Sequence, residues 1–324
     1  MHKSVLQWSK TDLRGGYADP SMSTLVHSEA LAYLRTLPDA SVHMVCTDPP
    51  YFLDGLGDAW DPAALATRGE SKLVGKLPKG MKFDRKQSAD FRVFYTKISA
   101  ECFRVLKPGG VFLSFCSPRL YHAMAIAMED AGFEIRDMLG WIYTQSQAKA
   151  FSQDHIIEKD KTMTAEEKAA LKTQLEGWKT PQLKPAIEPI CLAIKPVEGR
   201  LIDNMRVHGV GLLNTQQTTE SGHTPSNIVT TESLGPEYDT AFLVKKPTKT
   251  EKGDYNTHLS VKPVPLIEHL VQLFTQEGAV VLDPFLGSGT TAVACARTKR
   301  VCLGCDLNAS YLEIARRRLS EASP

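Results

Sequence analysis

Apolar positions along the chain follow two alternating spacings, and the alternation predicts an α/β protein. Segments with helical spacing are separated by short runs of consecutive apolar residues, which are typical of strands buried on both faces. The predicted helices cover residues 31–37, 91–106, 118–131, 264–274, 290–297 and 311–319, and the predicted strands cover residues 42–47, 111–115, 133–143, 188–195, 279–282 and 300–304. This order favours a mostly parallel, twisted sheet with helices on both faces.

Three segments interrupt the alternation. Residues 52–86 carry scattered glycines and many lysines and arginines, which indicates a flexible loop that is either solvated or in contact with a nucleic acid. Residues 144–187 form a predicted helical insertion, in which Thr164 and Glu167 make a capping box and Gly177 ends the helix. Residues 198–256 are rich in Thr, Ser, Gly, Asn and Pro, so we expect long loops and short strands there.

Composition narrows the class of protein. The 324 residues carry a formal net charge of +1, so contact with a polyanion must use local basic patches. The first 16 residues lack the apolar core of a signal peptide and no stretch is long enough to span a membrane, which favours a cytoplasmic protein. The seven cysteines lie mostly in apolar runs and predict buried, reduced thiols. Cys302 and Cys305 have no second ligand pair, so no metal site is expected.

The turn after the first central strand carries the first candidate site. The apolar run 42–47 ends in Asp48, Pro49, Pro50 and Tyr51. Two prolines cannot continue a strand, so these residues leave the sheet at its carboxyl edge, where ligands bind in open α/β folds. A carboxylate and a carbonyl can accept two N–H groups, and a ring can stack on a flat ligand. The alternative is a plain turn with a packing tyrosine.

A glycine-rich loop carries the second candidate site. Gly287 and Gly289 allow close approach to the backbone, and Thr290 and Thr291 start a helix with free N–H groups. Asp306 follows at the distance of about 20 residues that suits an acid binding ribose hydroxyls. Asp283 and Phe285 place an acid and a ring at the loop mouth, which argues against a pyrophosphate and for S-adenosylmethionine. The alternative is a tight turn in which glycine serves packing only.

Together the two motifs resemble those of the amino-group DNA methyltransferases, which methylate N6 of adenine or N4 of cytosine. The catalytic motif precedes the cofactor loop, as in the β class of phage and prokaryotic enzymes, whose motif order is circularly permuted. The resemblance implies a Rossmann-like, S-adenosylmethionine-dependent fold that acts on double-stranded DNA. It divides the chain into a catalytic half (1–143), the insertion (144–187), a sheet strand (188–197), a target-recognition region (198–256) and a cofactor-binding half (257–324).

The resemblance also implies roles for individual residues. Asp48, Pro49, Pro50 and Tyr51 correspond to the catalytic motif. The residues implied to bind the cofactor are Glu29, His258, Ser260, Lys262, Asp283, Phe285, Gly287, Ser288, Gly289, Thr290, Thr291 and Asp306. Glu29 stands where the class commonly has Asp, and Leu259 and Ser260 replace a Pro-Thr pair. By analogy with the class, a homodimer is expected.

The target base and the residues that read DNA are less determined by sequence. Asp48 favours adenine, because many N4-cytosine enzymes carry Ser at that position. Protein glutamine methyltransferases carry Asn there, and a catalytically inactive DNA-binding module is the rival from another class. By chemistry alone, the candidates for base reading are Arg200, Arg206, Asn214, Gln216 and Gln217.

Overall fold

A single mixed sheet organises the part of the chain that the structure describes. The computed structural model describes residues 23–50, 85–143, 150–181, 183–219, 222–233, 235, 241–258 and 261–322. The strands are β1 (Thr24–His27), β2 (Val42–Thr47), β3 (Leu106–Phe115), β4 (Glu134–Ile142), β5 (Ile187–Ile194), β6 (Ile228–Thr230), β7 (Phe242–Leu243), β8 (Val280–Asp283) and β9 (Val301–Asp306). They lie in the order β1-β9-β8-β2-β3-β5-β4-β6-β7.

Helices connect these strands. They are α1 (Ala30–Leu34), α2 (Arg85–Val105), α3 (Tyr121–Asp130), α4 (Asp154–Lys159), α5 (Ala165–Gln174), α6 (Leu201–His208), α7 (Lys249–Lys252), α8 (Val264–Phe274), α9 (Thr290–Arg297) and α10 (Ala309–Ala322). In the described residues, no helix is long and apolar enough to cross a membrane.

The sheet is parallel except at β5, which confirms the predicted mostly parallel α/β fold. β5 runs antiparallel to both of its neighbours, β3 and β4. Its first residues therefore lie at the same edge as the last residues of β2, β3, β4 and β8. This reversal matters for the site, because it brings the start of β5 to the edge where the other strands end.

Both faces of the sheet are buried, and different helices cover them. On one face, Phe91 and Tyr95 of α2 pack with Met124 of α3. On the other face, Leu270 of α8 and Val293 of α9 pack with other apolar side chains. The residues of β2 are divided between the two cores, which explains why its sequence is a continuous buried run rather than an alternating one.

The two faces define a crevice at the centre of the sheet. β2 and β8 are parallel neighbours. The helix after β2 in the described chain, α2, covers one face, and the helix after β8, α9, covers the other. The chain therefore departs in opposite directions from adjacent strand ends, which is the arrangement that opens a ligand crevice in α/β sheets.

Several predicted boundaries differ from the observed ones for local reasons. Helix α2 begins at Arg85 rather than at 91, so the last two residues of the predicted 52–86 loop are helical; residues 51–84 lie outside the described residues. Strand β3 begins at Leu106, because the Lys-Pro-Gly-Gly segment bulges out of the ladder with β2 and pairs with Lys195 instead. Strand β1 was not predicted.

The insertion and the segment after β5 also depart in part from expectation. The capping box of Thr164 and Glu167 is present, and the helix that it opens ends at Gln174, two residues earlier than predicted. Residues 201–208, where loops were expected, form helix α6, which ends at Gly209 in a left-handed conformation. The seven cysteines are buried free thiols, as predicted.

The side chain of Asn204 fixes α6 to the amino end of β3. It is 1% exposed. Its Nδ2 donates to the carbonyl oxygens of Pro108 and Val210, and its Oδ1 accepts from the N–H of Glu198. Because three backbone groups would lose their partner, we expect Asn204→Ala to lower the free energy of unfolding by about 2–3 kcal/mol, measured by urea denaturation.

The exposed neighbour Arg200 provides the control for this prediction. We expect Arg200→Ala to leave the free energy of unfolding nearly unchanged, because its contact with Asp203 is a surface ion pair that solvent screens. Equal effects of the two substitutions would contradict the role given to Asn204.

Candidate active site at the ends of two central strands

Two segments far apart in sequence meet at the ends of β2 and β8. The Thr47 hydroxyl donates to Asp283 Oδ1 at 2.6 Å, although the two residues are 236 positions apart. The predicted convergence of the Asp48 turn and the glycine-rich loop is therefore observed. Tyr51 and Ser260, which were also assigned to the site, lie outside the described residues.

A cavity opens where these segments meet. Residues from both halves of the chain line it. They are Cys46, Thr47, Asp48, Phe115, His258, Val261, Lys262, Ile267, Asp283, Phe285, Leu286, Gly287, Ser288, Thr290 and Thr291. A small organic molecule bound against the loop would therefore lie close to the Asp48 carboxylate.

Asp48 belongs to a group of three charged side chains. Lys262 Nζ contacts Asp48 Oδ2 and also Glu188 Oε1, the latter at 2.9 Å. Its ammonium lies 5.0 Å from the centroid of the Phe115 ring. Burial alone would lower the pKa of Lys262, but the charges of Asp48 and Glu188 outweigh burial and hold the pKa above its ordinary value. Lys262 is therefore a cation in the site.

The glycine-rich loop is shaped by its two left-handed glycines. Gly287 has φ +54° and Gly289 has φ +83°. A Cβ at Gly287 would lie 2.8 Å from His258 Nε2, and one at Gly289 would lie 2.6 Å from the Cβ of Ala315. Glycine is thus required at both positions by conformation and by space. These contacts hold the loop backbone close to its neighbours while leaving one side facing the cavity.

Arg318 supports the same loop from α10. Its Nη1 donates to the carbonyl oxygen of Ser288 at 2.8 Å and to the Thr290 hydroxyl at 3.2 Å. The side chain is buried. It therefore fixes the first turn of α9 at the cavity.

Asp306 ends β9, next to the loop, as predicted. Its Oδ2 accepts from the N–H of Gly287 and its Oδ1 from the N–H of Asn308, both at 2.8 Å. Burial raises the pKa of this carboxyl group despite those bonds. Each carboxylate oxygen has a second acceptor site, so Asp306 can hold the loop and still accept from ligand hydroxyls.

Asp283 has a different place from the one predicted. It was expected at the mouth of the loop as a partner for a cationic ligand, but it is 4% exposed. Its Oδ1 accepts from Thr47 and from the N–H of Phe285, and its Oδ2 accepts from the Thr291 hydroxyl. Asp283 therefore joins β2, β8 and α9 and shapes the cavity wall.

Three other predicted cofactor residues have clear structural contacts. Glu29 caps α1, where Oε1 and Oε2 accept from the N–H groups of Leu31 and Ala32. The His258 ring meets the Tyr311 ring at 4.5 Å, and burial lowers the pKa of His258 to about 4, so it is neutral near pH 7. Phe285 packs 6.1 Å from the ring of Phe94. Direct contact of each with the cofactor stays a prediction.

Sequence reasoning missed Glu188 as a member of the site. It starts the antiparallel strand β5, so it reaches the carboxyl edge that the parallel strands share. A carboxylate directly before a buried apolar strand was the available signal. Phe115 was missed as well, because it ends an apolar strand whose residues are all predicted to be buried in the core.

The five base-reading candidates lie away from the cavity. Helix α6, which carries Arg206 and follows Arg200, is held at Pro108, near the amino end of β3. Asn214 bonds to the carbonyl oxygens of Gln272 and Leu273 at the far end of α8, and Gln216 and Gln217 bond back to Asn214. These contacts place the elements that carry the five residues near the edge opposite to Asp48, and their role in base reading stays a prediction.

Comparison with known proteins identifies the family. The chain matches the N6/N4 DNA methylase family over residues 42–317. It is 29% identical to the type II methyltransferase M.HindIII of Haemophilus influenzae, with 91% of this chain and 94% of that protein covered. It is 24% identical to the DNA adenine methyltransferase YhdJ of Escherichia coli K12, with 93% of this chain and 83% of that protein covered.

Solved structures agree in fold. The cytosine-N4-specific PvuII DNA methyltransferase superposes with a TM-score of 0.57 at 14% identity, over 94% of this chain and 89% of that one. The complex of M1.HpyAVI with S-adenosylmethionine superposes with a TM-score of 0.52 at 18% identity, over 92% of this chain and 99% of that one. The fold is that of an S-adenosylmethionine-dependent methyltransferase. The chain belongs to the N6/N4 DNA methylase family and is a DNA methyltransferase.

The cavity suits S-adenosylmethionine. Asp306 beside the loop has acceptor capacity that could serve ribose hydroxyls, and the first turn of α9 has N–H groups without a side-chain cap. The three charged side chains Asp48, Glu188 and Lys262 sum to one negative charge, which favours a sulfonium cation. In the described residues, no group of His, Cys, Asp and Glu side chains could hold a metal ion.

The Asp283 carboxyl group gives the fold a pH dependence of definite sign. Burial raises its pKa from 3.8 to about 6. Its contribution to the free energy of unfolding is therefore full below about pH 4 and is lost as the pH rises through 6. We expect the stability of wild type relative to Asp283→Asn to fall by about 3 kcal/mol between these limits, measured by urea denaturation at several pH values.

A matched substitution at the exposed Asp254 is the control. Asp254→Asn makes the same change of side chain at an exposed position and controls for the loss of one carboxyl group. A difference for Asp283→Asn that is constant from pH 4 to pH 7 would contradict the prediction.

Proposed function

We propose that this protein transfers a methyl group from S-adenosylmethionine to the N6 amine of adenine in double-stranded DNA. The observation that carries the proposal is that Asp48 and the glycine-rich loop line the same cavity. The name of the relative YhdJ, a DNA adenine methyltransferase, supports adenine as the base. The acid at position 48 supports it independently.

Asp48 would activate the amine by accepting a hydrogen bond from one of its two N–H groups. The lone pair of an exocyclic amine is delocalised into the ring, which makes the nitrogen a poor nucleophile. A carboxylate at one N–H and the Pro49 carbonyl at the other draw the nitrogen toward a pyramidal geometry and return the lone pair to it. The same carboxylate stabilises the positive charge that develops on nitrogen. When bound, S-adenosylmethionine supplies an electrophilic methyl group.

Orientation would contribute much of the remaining acceleration. Asp48 follows a fully buried strand, and Pro49 is buried beside it. The carboxylate is only 23% exposed and is in contact with Lys262. A reacting group held in this way has little freedom to lose in the transition state.

The target base must leave the duplex to reach this cavity. An enzyme cannot bring a catalytic group to the N6 atom of a stacked base, so flipping costs a few kcal/mol. We assign Tyr51 to stack on the flipped base and recover part of that cost. Pro50, which precedes it, directs the chain out of the sheet.

N4-cytosine methylation is the alternative within the same architecture. The likeness to the PvuII enzyme shows a shared fold and does not bear on the base. The two amines need the same acceptors, so the product must be identified chemically.

DNA would approach the edge of the sheet on which Asp48 lies. β6 and β7 extend the sheet in parallel with β4, so the residues after β7 come to that edge. Lys245 and Lys246 are exposed there, and Lys246 Nζ lies 4.5 Å from the centroid of the Tyr143 ring at the end of β4. Two adjacent lysines provide the local positive charge that a nearly neutral chain needs to bind phosphates.

The assignment carries expectations about the setting. The matched relatives named above are bacterial enzymes, and a DNA substrate in such cells favours a cytoplasmic location. Assembly as a homodimer and pairing with a restriction enzyme remain predictions from the resemblance.

The nature of the product tests the proposal directly. We expect DNA that has been incubated with the protein and S-adenosylmethionine to contain N6-methyl-2′-deoxyadenosine. Digestion of the DNA to nucleosides followed by mass spectrometry detects it. Asp48→Ala should abolish methyl transfer by removing the acceptor, whereas the cofactor should still bind, with an affinity lowered only by the loss of one negative charge, because the glycine-rich loop keeps its contacts.

Asp306→Ala is the matched control for that experiment. It should weaken cofactor binding in calorimetry, since Asp306 holds the loop at Gly287. N4-methylcytosine as the product would replace adenine by cytosine in the proposal, and an active Asp48→Ala protein would overturn the mechanism.

Salt dependence tests the DNA-facing edge. We expect Lys245→Ala with Lys246→Ala to weaken DNA binding and to reduce the slope of log K against log salt concentration by about 1.8, the value for two lost phosphate contacts. Arg200→Ala with Arg206→Ala makes the same change of charge near the opposite edge and should leave the slope unchanged. Equal slopes for the two double variants would refute the assigned edge.

A further inference from the structure

Three separate parts of the chain meet at one buried nitrogen atom. Lys262 Nζ contacts Asp48 at the end of β2 and Glu188 at the start of β5, and it lies over the Phe115 ring at the end of β3. The Lys262 side chain is 8% exposed and that of Glu188 is 16% exposed. A long, flexible lysine is thus fixed in one position by contacts from three strands.

The backbone of Lys262 is tied to the cofactor loop. The Thr290 hydroxyl donates to the Lys262 carbonyl oxygen at 3.3 Å, and Thr290 is the first residue of α9. Pro263 then caps α8. One residue therefore connects the loop that faces the cofactor with the carboxylate that faces the target base.

The charges of the group explain why the lysine is needed there. Asp48 and Glu188 both contact the same ammonium, so the two carboxylates are close neighbours in a largely buried place. Without a cation between them, like charges at this separation cannot both stay ionised, and one would take up a proton. A protonated Asp48 would lack the negative charge that stabilises the cationic nitrogen in the transition state.

We propose that Lys262 and Glu188 are positioning residues that keep the Asp48 carboxylate ionised and oriented toward the target amine. The proposal rests on the proposed catalytic role of Asp48. Lys262 acts on Asp48 by direct contact, and Glu188 acts by holding Lys262. This differs from the role in cofactor binding that sequence resemblance gave to Lys262.

Apart from Asp283, burial favours the neutral form of the other titratable side chains around the three charged groups. Burial raises the pKa of the Cys46 and Cys116 thiols and of Tyr143, and it lowers the pKa of His258 to about 4. Asp283 titrates near 6 in wild type and lies on the wall of the same cavity. The charge of Asp48 is one cause of this raised pKa, so the pH profiles of the variants report on Asp48, Glu188 and Asp283 as one coupled group.

The central variant is Lys262→Met, which keeps the length of the side chain and removes its charge. We expect kcat to fall about 100-fold, as for a reacting group displaced by about 1 Å. The dissociation constant for S-adenosylmethionine, measured by calorimetry, should change less than about threefold. In a plot of kcat against pH, the rise of kcat on the acidic side (the acidic limb) should move to a higher pH by about one unit or more.

A second substitution should reverse that shift. In Lys262→Met with Glu188→Gln, Asp48 has lost both the ammonium and the neighbouring carboxylate of the group, so the acidic limb should return toward that of wild type while kcat stays low. Lys262→Arg keeps the charge and should keep the wild-type limb. Glu188→Gln alone should lower kcat about 10-fold with an unchanged Michaelis constant for the cofactor.

The outcomes separate this inference from the proposed function. If Asp48→Ala is active, the mechanism itself fails. If Asp48→Ala is inactive but Lys262→Met has the wild-type kcat and acidic limb, only the positioning role fails. Weak cofactor binding by Lys262→Met with an unshifted limb would return Lys262 to the cofactor site. If Lys262→Met does not fold, Glu188→Gln decides, and an unchanged kcat there overturns the inference.

Discussion

The hydrogen bonds of Asp283 hold together the two strand ends on which everything else in the site depends. Thr47 ends β2 and Thr291 lies in the first turn of α9, and both hydroxyls donate to this one carboxyl group. The bonds fix the position of the Asp48 turn relative to the glycine-rich loop. Burying a carboxyl group between strands has a cost, which is visible in its raised pKa, and the three donors around it offset part of that cost.

Much of this arrangement could be predicted because it follows from local chemistry. The prolines at 49 and 50 must end a strand, and Gly287 and Gly289 must form a turn that other residues cannot adopt. Parallel strands bring their carboxyl ends to one edge, so two such signals on buried strands converge there. The capping box at Thr164 succeeded for the same reason, since all of its atoms lie within four residues.

The features that could not be predicted depend on contacts between distant segments. Nothing near Glu188 shows that β5 runs antiparallel, yet that direction alone brings Glu188 to Lys262. Helix α6 is held by the bond of Asn204 to Pro108, a partner 96 positions away. Asp283 was misread because its loop suggested a ligand partner, whereas its donors come from another strand and a helix.

The charge balance of the cavity joins the cofactor and the base to one side-chain group. Asp48, Glu188 and Lys262 carry one net negative charge in a place with little water. Such a charge favours a sulfonium before transfer and a cationic nitrogen after it, so the electrostatic environment serves both stages of the reaction. A single aspartate would provide the same net charge but no fixed orientation, because its carboxylate could rotate. The additional pair of opposite charges leaves the total unchanged and supplies the contact that holds Asp48 in place.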